Sequence, residues 1–136
     1  MVVSEMLRAY PAEMAKMDGD MLARCIEECY SCAQICTACA DACMAESDKV
    51  MATLRKCIRS CEDCADVCDT TGRILSRQTG YDPAMTRTIL EACMAMCRAC
   101  AEECERHAGR HEHCRICAEA CRRCEQACSQ LMGALR

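Results

Sequence analysis

Cysteine is the residue in this sequence that could do chemistry, and it recurs at a regular spacing. Nineteen of the 136 residues are cysteine, in four blocks within which steps of three and four residues alternate. A mean step of about 3.5 residues keeps side chains on one stripe of an α-helix. We therefore predict four helices, each with an inward stripe of thiols formed by Cys25, Cys29, Cys32, Cys36, Cys39, Cys43, Cys57, Cys61, Cys64, Cys68, Cys93, Cys97, Cys100, Cys104, Cys114, Cys117, Cys121, Cys124 and Cys128.

Two thiolates one helical turn apart can hold a soft metal ion between them. Residues four apart on a helix have Cβ atoms about 5 to 6 Å apart, a gap that two metal–sulfur bonds of about 2.3 Å can span. Soft thiolate ligands select Cu(I), whereas zinc takes four ligands in a tetrahedron, which one stripe does not readily provide. With bridging thiolates, the capacity approaches about one Cu(I) per cysteine. We therefore predict that all nineteen cysteines are copper ligands.

Three histidines stand beside the cysteine stripes. His107 and His111 continue the stripe beyond Cys104 at steps of three and four, and His113 directly precedes Cys114. Imidazole is a common metal ligand, and the alternative for all three is a solvated histidine at a helix end. We include His107, His111 and His113 among the predicted metal ligands.

The composition predicts a folded protein whose interior is largely sulfur. Leu, Ile and Val are few, Phe and Trp are absent, yet 52% of the residues are apolar and the net charge is only −4. Buried cysteine packs as a small hydrophobe. With 17 basic against 21 acidic residues, no basic field for nucleic acid is expected. We also expect no membrane association, because the sequence has no 18-residue apolar run.

The compartment follows from the amino terminus. It has no basic region followed by an apolar stretch, so no export signal is predicted and we expect a cytoplasmic protein. The cytosol keeps thiols reduced, and nineteen is an odd number, so a complete disulfide framework is disfavoured.

Helix signals between the blocks predict an all-α fold. Ser47 is a suitable N-cap, Asp82 with Pro83 marks a helix start, and Gly80 can end the helix before it; Gly72 is a weak point inside that helix. We predict a single domain over 1–136, with an extension at 1–17. The predicted helices are about 18–45, 48–79, 83–108 and 111–132. Short connections favour an antiparallel up-down-up-down four-helix bundle with a cysteine-lined core.

This topology predicts two different ends. One end has polar and ligand-bearing residues, namely Cys43, Met44, Met51, His107, His111 and His113. The other is apolar, with methionines more typical of core than of copper contact, and collects Met14, Met17, Met21, Leu75, Met85, Leu90, Leu131 and Met132. We expect the opening of the bundle at the histidines.

Other functions fit the pattern less well. An inert core of small residues would not need this period. A thioredoxin-like pair would lie at a helix N-terminus, and the cysteine run of bacterial ferredoxins is absent. No nucleophile with a base and an orienting acid is present, so we predict no catalysis. A zinc or mixed-metal detoxifying buffer remains as the alternative function.

The cysteine blocks resemble those of the cytosolic copper storage proteins. The resemblance covers about residues 20–130 and is carried by CIEECYSCAQICTACADACMAES, CIRSCEDCADVC, CMAMCRACAEEC and HEHCRICAEACRRCEQAC. It implies a four-helix bundle filled with Cu(I) thiolate sites, assembly into a homotetramer, and histidines at the mouth where copper enters, to which His107, His111 and His113 correspond. We therefore expect a protein that binds and stores many Cu(I) ions, with a copper chaperone as a candidate donor.

Overall fold

The computed structural model describes residues 2–135. Over this range the chain is helical and contains no strand, which confirms the all-α prediction. The elements are α1 Val2–Arg8, α2 Gly19–Met44, α3 Asp48–Met51, a 3₁₀ turn Ala52–Leu54, α4 Arg55–Leu75, α5 Pro83–Glu105 and α6 Glu112–Gly133. Within residues 2–135, no helix is both long enough and apolar enough to cross a membrane.

The four long helices enclose the cysteine stripes. Helix α2 packs against α4 and α6, and α5 packs against the same two helices from the other side. Cys25 contacts Cys128, whereas further along α2 Cys36 contacts Cys117. Helices α2 and α6 are therefore antiparallel. Helices α4 and α5 are antiparallel as well, since Cys57 contacts Cys104 whereas Cys68 contacts Cys93. All nineteen cysteines are free thiols, and none is more than 2% exposed.

The second predicted helix, over 48–79, is both interrupted and shorter than expected. The 3₁₀ turn separates α3 from α4, and α4 ends at Leu75. The Ser76 hydroxyl donates to the carbonyl of Gly72 at 2.7 Å, and Gln78 Nε2 donates to the carbonyl of Leu75 at 3.0 Å. The Gln78 amide thus satisfies a carbonyl that a longer helix would have bonded, whereas the Gly72 carbonyl also accepts the N–H of Ser76 at 3.1 Å. Gly80, with φ of 69°, therefore lies in the connection and does not cap the helix.

The third predicted helix, over 83–108, also ends early. Helix α5 stops at Glu105, and the backbone continues in turns up to the start of α6. The N–H of His107 bonds the carbonyl of Cys104, and the N–H of His111 bonds the carbonyl of His107. His107 and His111 therefore leave the regular helical stripe that the sequence spacing predicts for them.

Gly72 has a packing role inside α4. A Cβ atom at this position would lie 3.0 Å from Cζ of Tyr30 on α2, closer than carbon atoms normally approach. Glycine thus lets the tyrosine ring lie directly on the α4 backbone, which offsets its low helix propensity.

The amino-terminal segment folds over one end of the long helices. Helix α1 packs on α2, and it ends before Pro11, as expected for a residue without a backbone N–H. Tyr10 Oη lies 2.8 Å from Thr79 Oγ1, and the N–H of Ala15 donates to Gln78 Oε1 at 3.4 Å. These contacts hold the segment against the α4–α5 connection.

Candidate metal centre

The thiols form a continuous column in which neighbours come from different helices. Sulfur atoms one turn apart are 3.8 Å apart in Cys32 and Cys36. Contacts between helices are as short, since Cys121 Sγ lies 3.8 Å from Cys32 and 3.7 Å from Cys36. Three bonds of about 2.3 Å to one ion place the sulfurs about 4 Å apart in a trigonal site. The column therefore already has the spacing of sulfurs that share metal ions.

Groups of four thiols converge at several levels of the column. Cys29, Cys93, Cys124 and Cys128 lie within 4.8 Å of one another and come from three helices, and several further groups of four meet the same criterion. The expectation that zinc lacks four ligands holds for one stripe but not for the assembled helices. The charge balance still favours Cu(I) over Zn²⁺. Four buried thiolates around one Zn²⁺ leave two negative charges, whereas equal numbers of Cu(I) and thiolate leave none.

Burial and contacts between thiols shift the pKa values of different cysteines in opposite directions. Burial, followed by the nearby charge of Cys39, raises the pKa of Cys43. In contrast, hydrogen bonds with Cys128 and Cys29 outweigh burial and lower the pKa of Cys25 to about 5. A column of thiolates would repel strongly without metal, so most of the thiols must be neutral before loading. Metal that binds here must displace protons.

His113 is the histidine that reaches the thiols. Its Nδ1 lies 3.4 Å from Sγ of Cys39, 3.6 Å from Sγ of Cys114 and 3.9 Å from Sγ of Cys43. Its Nε2 lies 3.1 Å from Oε2 of Glu46. Burial opposes protonation, but hydrogen bonds with Cys39 and Glu46 outweigh it and raise the pKa of His113. The Nδ1 atom of His113 and the three sulfurs are therefore the donors that a metal ion at the edge of the column could contact together.

His107 and His111 contact carboxylates. His111 Nδ1 lies 3.0 Å from Glu46 Oε2, and its ring stacks on His113 with centroids 5.5 Å apart. His107 Nε2 lies 2.9 Å from Oε2 of Glu103. All three rings are half-buried. We call this region, made of Cys43, Glu46, His107, His111, His113 and Cys114, the His end.

Two functional candidates, Glu46 and Glu103, are not indicated by the cysteine and histidine patterns. Glu103 lies four residues before His107, and helical side chains at that spacing can meet, so the pair was detectable in the sequence. It is buried, and Arg106 Nη1 also lies 3.1 Å from its Oε1. Glu46 lies in the α2–α3 connection, and only the packing of that connection against the start of α6 brings it to the two histidines.

The opposite end of the column is closed by aliphatic side chains. Leu22, Leu75, Leu90 and Leu131 are at most 3% exposed. Each lies one or two turns beyond the outermost thiol of its helix, before the first thiol in α2 and α5 and after the last in α4 and α6. Met14 and Met17 are partly buried and pack against the core of the bundle, whereas Met21 and Met85 are exposed. We call the four leucines the Leu end. Their burial in the core is ordinary hydrophobic packing.

Comparison with known proteins places this arrangement in a family. The model of the copper storage protein family matches residues 18–133. A copper storage protein, Ccsp, from Streptomyces lividans, solved with 10 copper equivalents, is 59% identical, with a TM-score of 0.95 over 98% of this chain and 99% of that chain. A structure of the cytosolic copper storage protein of the same organism with five coppers is 61% identical, with a TM-score of 0.83 over 86% of this chain and 96% of the other.

A more distant relative has the same fold. The Cu(I)-bound copper storage protein BsCsp3 is 32% identical, with a TM-score of 0.68 over 79% of this chain and 94% of its own. No curated protein matches the chain significantly. The family match and the similarity at 59% identity both cover most of the sequence. The chain belongs to the copper storage protein family.

Proposed function

We propose that this protein stores Cu(I) in the cytosol, bound by the thiolates of its nineteen core cysteines, with a capacity up to about one ion per cysteine. The observation that carries the proposal is the continuous column of buried free thiols, in which sulfurs of different helices lie 3.5 to 4.0 Å apart. The four long helices act as an up-down-up-down bundle around this column. The protein has no catalytic role.

Copper binding replaces protons in the column. Each thiol that becomes a ligand gives up its proton, so a fully loaded core with one Cu(I) per thiolate carries no net charge. Such a core can fill completely without burying unpaired charge. Because thiols of different helices are in contact, one sulfur can bridge two ions. Pairs of cysteines that contacted no other thiol could not bridge ions in this way.

Copper enters at the His end. His113 Nδ1 joins Cys39, Cys43 and Cys114 as the first sulfur-containing site, and His107 and His111 receive the ion before it. The half-buried rings and the direct contact of His113 with thiols support this route, as does the closed packing of the Leu end. A copper chaperone delivers the metal, and the protein functions as a homotetramer.

The alternative function is a zinc or mixed-metal buffer, which the groups of four thiols would favour. Charge predicts different stoichiometries for the two ions. Neutralising nineteen thiolates takes one Cu(I) per thiolate but only half as many divalent ions. The two functions therefore differ in the number of ions bound and in the protons released per ion.

An anaerobic titration of the reduced protein with Cu(I), against a competing chromophoric chelator and with free thiols counted, tests the proposal. We expect saturation near one copper per cysteine and a helical circular dichroism signal before metal is added. Cys121→Ser should lower the capacity, and Ser129→Ala, an exposed change on the same helix, should not. Saturation at a few ions, or tighter binding of zinc in parallel titrations, would contradict copper storage.

A further inference from the structure

Glu46 joins two histidines through a single oxygen atom. Its Oε2 lies 3.0 Å from Nδ1 of His111 and 3.1 Å from Nε2 of His113. The carboxylate comes from the α2–α3 connection, whereas both rings come from the start of α6. All three side chains are half-buried, so the contact lies in the wall of the His end.

The chemistry of the carboxylate determines which ring nitrogens carry hydrogen. A glutamate carboxyl ordinarily has a pKa of about 4.3 and is therefore ionised near neutral pH. An ionised carboxylate can only accept hydrogen bonds. Nε2 of His113, which hydrogen-bonds this carboxylate, must therefore be a donor. Nδ1 of His111 lies 3.0 Å from the same oxygen, and two lone pairs would repel at that distance, so Nδ1 of His111 must carry hydrogen as well. This assigns opposite tautomers to the two neutral rings.

The opposite tautomers leave different nitrogens free to bind metal. In His113 the lone pair is on Nδ1, the atom 3.4 Å from Sγ of Cys39. In His111 it is on Nε2, which has no hydrogen-bond partner among residues 2–135. The two rings stack 5.5 Å apart, so the two free nitrogens belong to adjacent rings. One of them faces the thiols and the other is unpartnered.

We propose that Glu46 is a positioning residue for copper entry, which holds His111 with Nε2 free for an incoming Cu(I) and His113 with Nδ1 free to pass the ion to Cys39, Cys43 and Cys114. This role rests on the proposed function. Ligating histidines generally donate their second N–H to a carboxylate or carbonyl, which fixes the ring and raises its basicity as a ligand. One carboxylate serves both rings here, so its loss affects both steps of the transfer.

The first test measures the tautomers in the apo protein, without copper. Long-range ¹H–¹⁵N NMR at about pH 8, where neutral imidazole dominates, should show Nδ1–H in His111 and Nε2–H in His113. Glu46→Ala should lose the Nδ1–H tautomer of His111, and Glu46→Gln should retain it because an amide oxygen accepts the same bonds. Finding Nε2–H in His111 of the unaltered protein would overturn the proposal without any variant.

The second test measures copper transfer. Glu46→Ala should slow uptake of the first Cu(I) equivalents by about 10- to 100-fold, the usual cost of losing such a partner, and should leave the final capacity unchanged. Glu46→Gln should recover most of the rate. Glu102→Ala, which removes an exposed carboxylate of α5, is the matched control and should load normally.

The outcomes separate this proposal from the storage function. If the unaltered protein binds only a few ions, storage is wrong, whatever the NMR result. If it fills completely, and Glu46→Ala loads at the normal rate or keeps both tautomers, storage stands and the role of Glu46 is wrong.

Discussion

The His end and the Leu end enclose the same column of thiols but differ in burial, polarity and capping. At the His end, three half-buried imidazoles and two carboxylates lead to the outermost sulfurs. At the Leu end, four leucines at most 3% exposed cover the last thiols. The His end therefore offers imidazole nitrogens and carboxylate oxygens, whereas the soft donors at the Leu end are the thioethers of Met14 and Met17. The difference teaches that a single column of buried thiols can end in aliphatic packing on one side and in polar, titratable side chains on the other.

Helix capping shows the same contrast. At the Leu end, Asp18 and Asp82 each accept hydrogen bonds from two backbone N–H groups at the starts of α2 and α5. At the His end, Ser47 accepts a single bond of 3.4 Å, and His111 makes no capping bond at the start of α6. Caps are worth about 1 kcal/mol each, so the Leu end is the more firmly held. Sites that must admit ligands commonly lie in less stable regions.

The largest loss of stability is expected from a substitution that leaves a cavity at the Leu end. Leu90→Ala should lower the free energy of unfolding of the apo protein by about 2 to 5 kcal/mol, because it leaves a cavity at a fully buried position. Chemical denaturation followed by circular dichroism measures this. Met85→Ala on the same helix, where the side chain is 60% exposed, should change stability by no more than about 0.5 kcal/mol. A loss below 1 kcal/mol for Leu90→Ala would mean that this end is loosely packed.

The next effect concerns copper uptake at the His end. His113→Ala removes the only ring nitrogen found in contact with thiols within residues 2–135, so the first Cu(I) equivalents should enter about 10- to 100-fold more slowly. Stopped-flow transfer from a chromophoric Cu(I) chelator measures the rate. His107→Ala should have a smaller effect, because its ring contacts Glu103 instead. Equal rates in His113→Ala and the unaltered protein would exclude entry past His113.

The sequence predicts the column much better than it predicts the entrance. Alternating steps of three and four residues require helices with cysteine stripes, because only helical geometry brings such positions together. All three histidines were predicted as ligands, His107 and His111 because they continue the cysteine spacing and His113 because it precedes Cys114. In the structure His113 is the ring that contacts the thiols. A turn between α5 and α6 takes the first two off the helical stripe, and the spacing of residues cannot reveal that turn.

The ends of α4 illustrate a second limit. Gly80 and the following Asp82 and Pro83 mark the connection correctly, but the helix stops earlier, at Leu75. The side chain of Gln78 then satisfies the carbonyl of Leu75, the last residue of the helix. Glu46 was missed for a related reason, since its partners are 65 and 67 residues away in sequence. Local patterns predict elements, whereas contacts between connections depend on packing.

Alkaline pH should lower the free energy of unfolding of the apo protein but not that of the copper-loaded protein. Burial raises the pKa of Cys43 above its unfolded value of about 8.5, so the folded state holds this proton more tightly. The corresponding stability is complete below about pH 8.5 and is lost as the pH rises above it, by up to about 1.4 kcal/mol per pH unit for one such group. Denaturation midpoints from pH 7 to 10 measure the slope.

Two comparisons test the cause of this alkaline loss. Cys43→Ala should reduce the slope, because the titrating thiol is removed. Copper loading should abolish most of it, since bound thiolates have already given up their protons. An equal slope in apo and loaded protein would assign the alkaline loss to other groups.

The smallest effect expected is the difference between helix caps at the two ends. Asp82→Ala should cost about 1 kcal/mol of apo stability, because two N–H groups at the start of α5 lose their acceptor. Ser47→Ala should cost less, since its single bond is long and begins only the four-residue α3. The free energies of unfolding of the two variants, measured side by side, check the order. A larger loss for Ser47→Ala would mean that the start of α3 contributes more to stability than Asp82 does, and that the His end is the firmly held one.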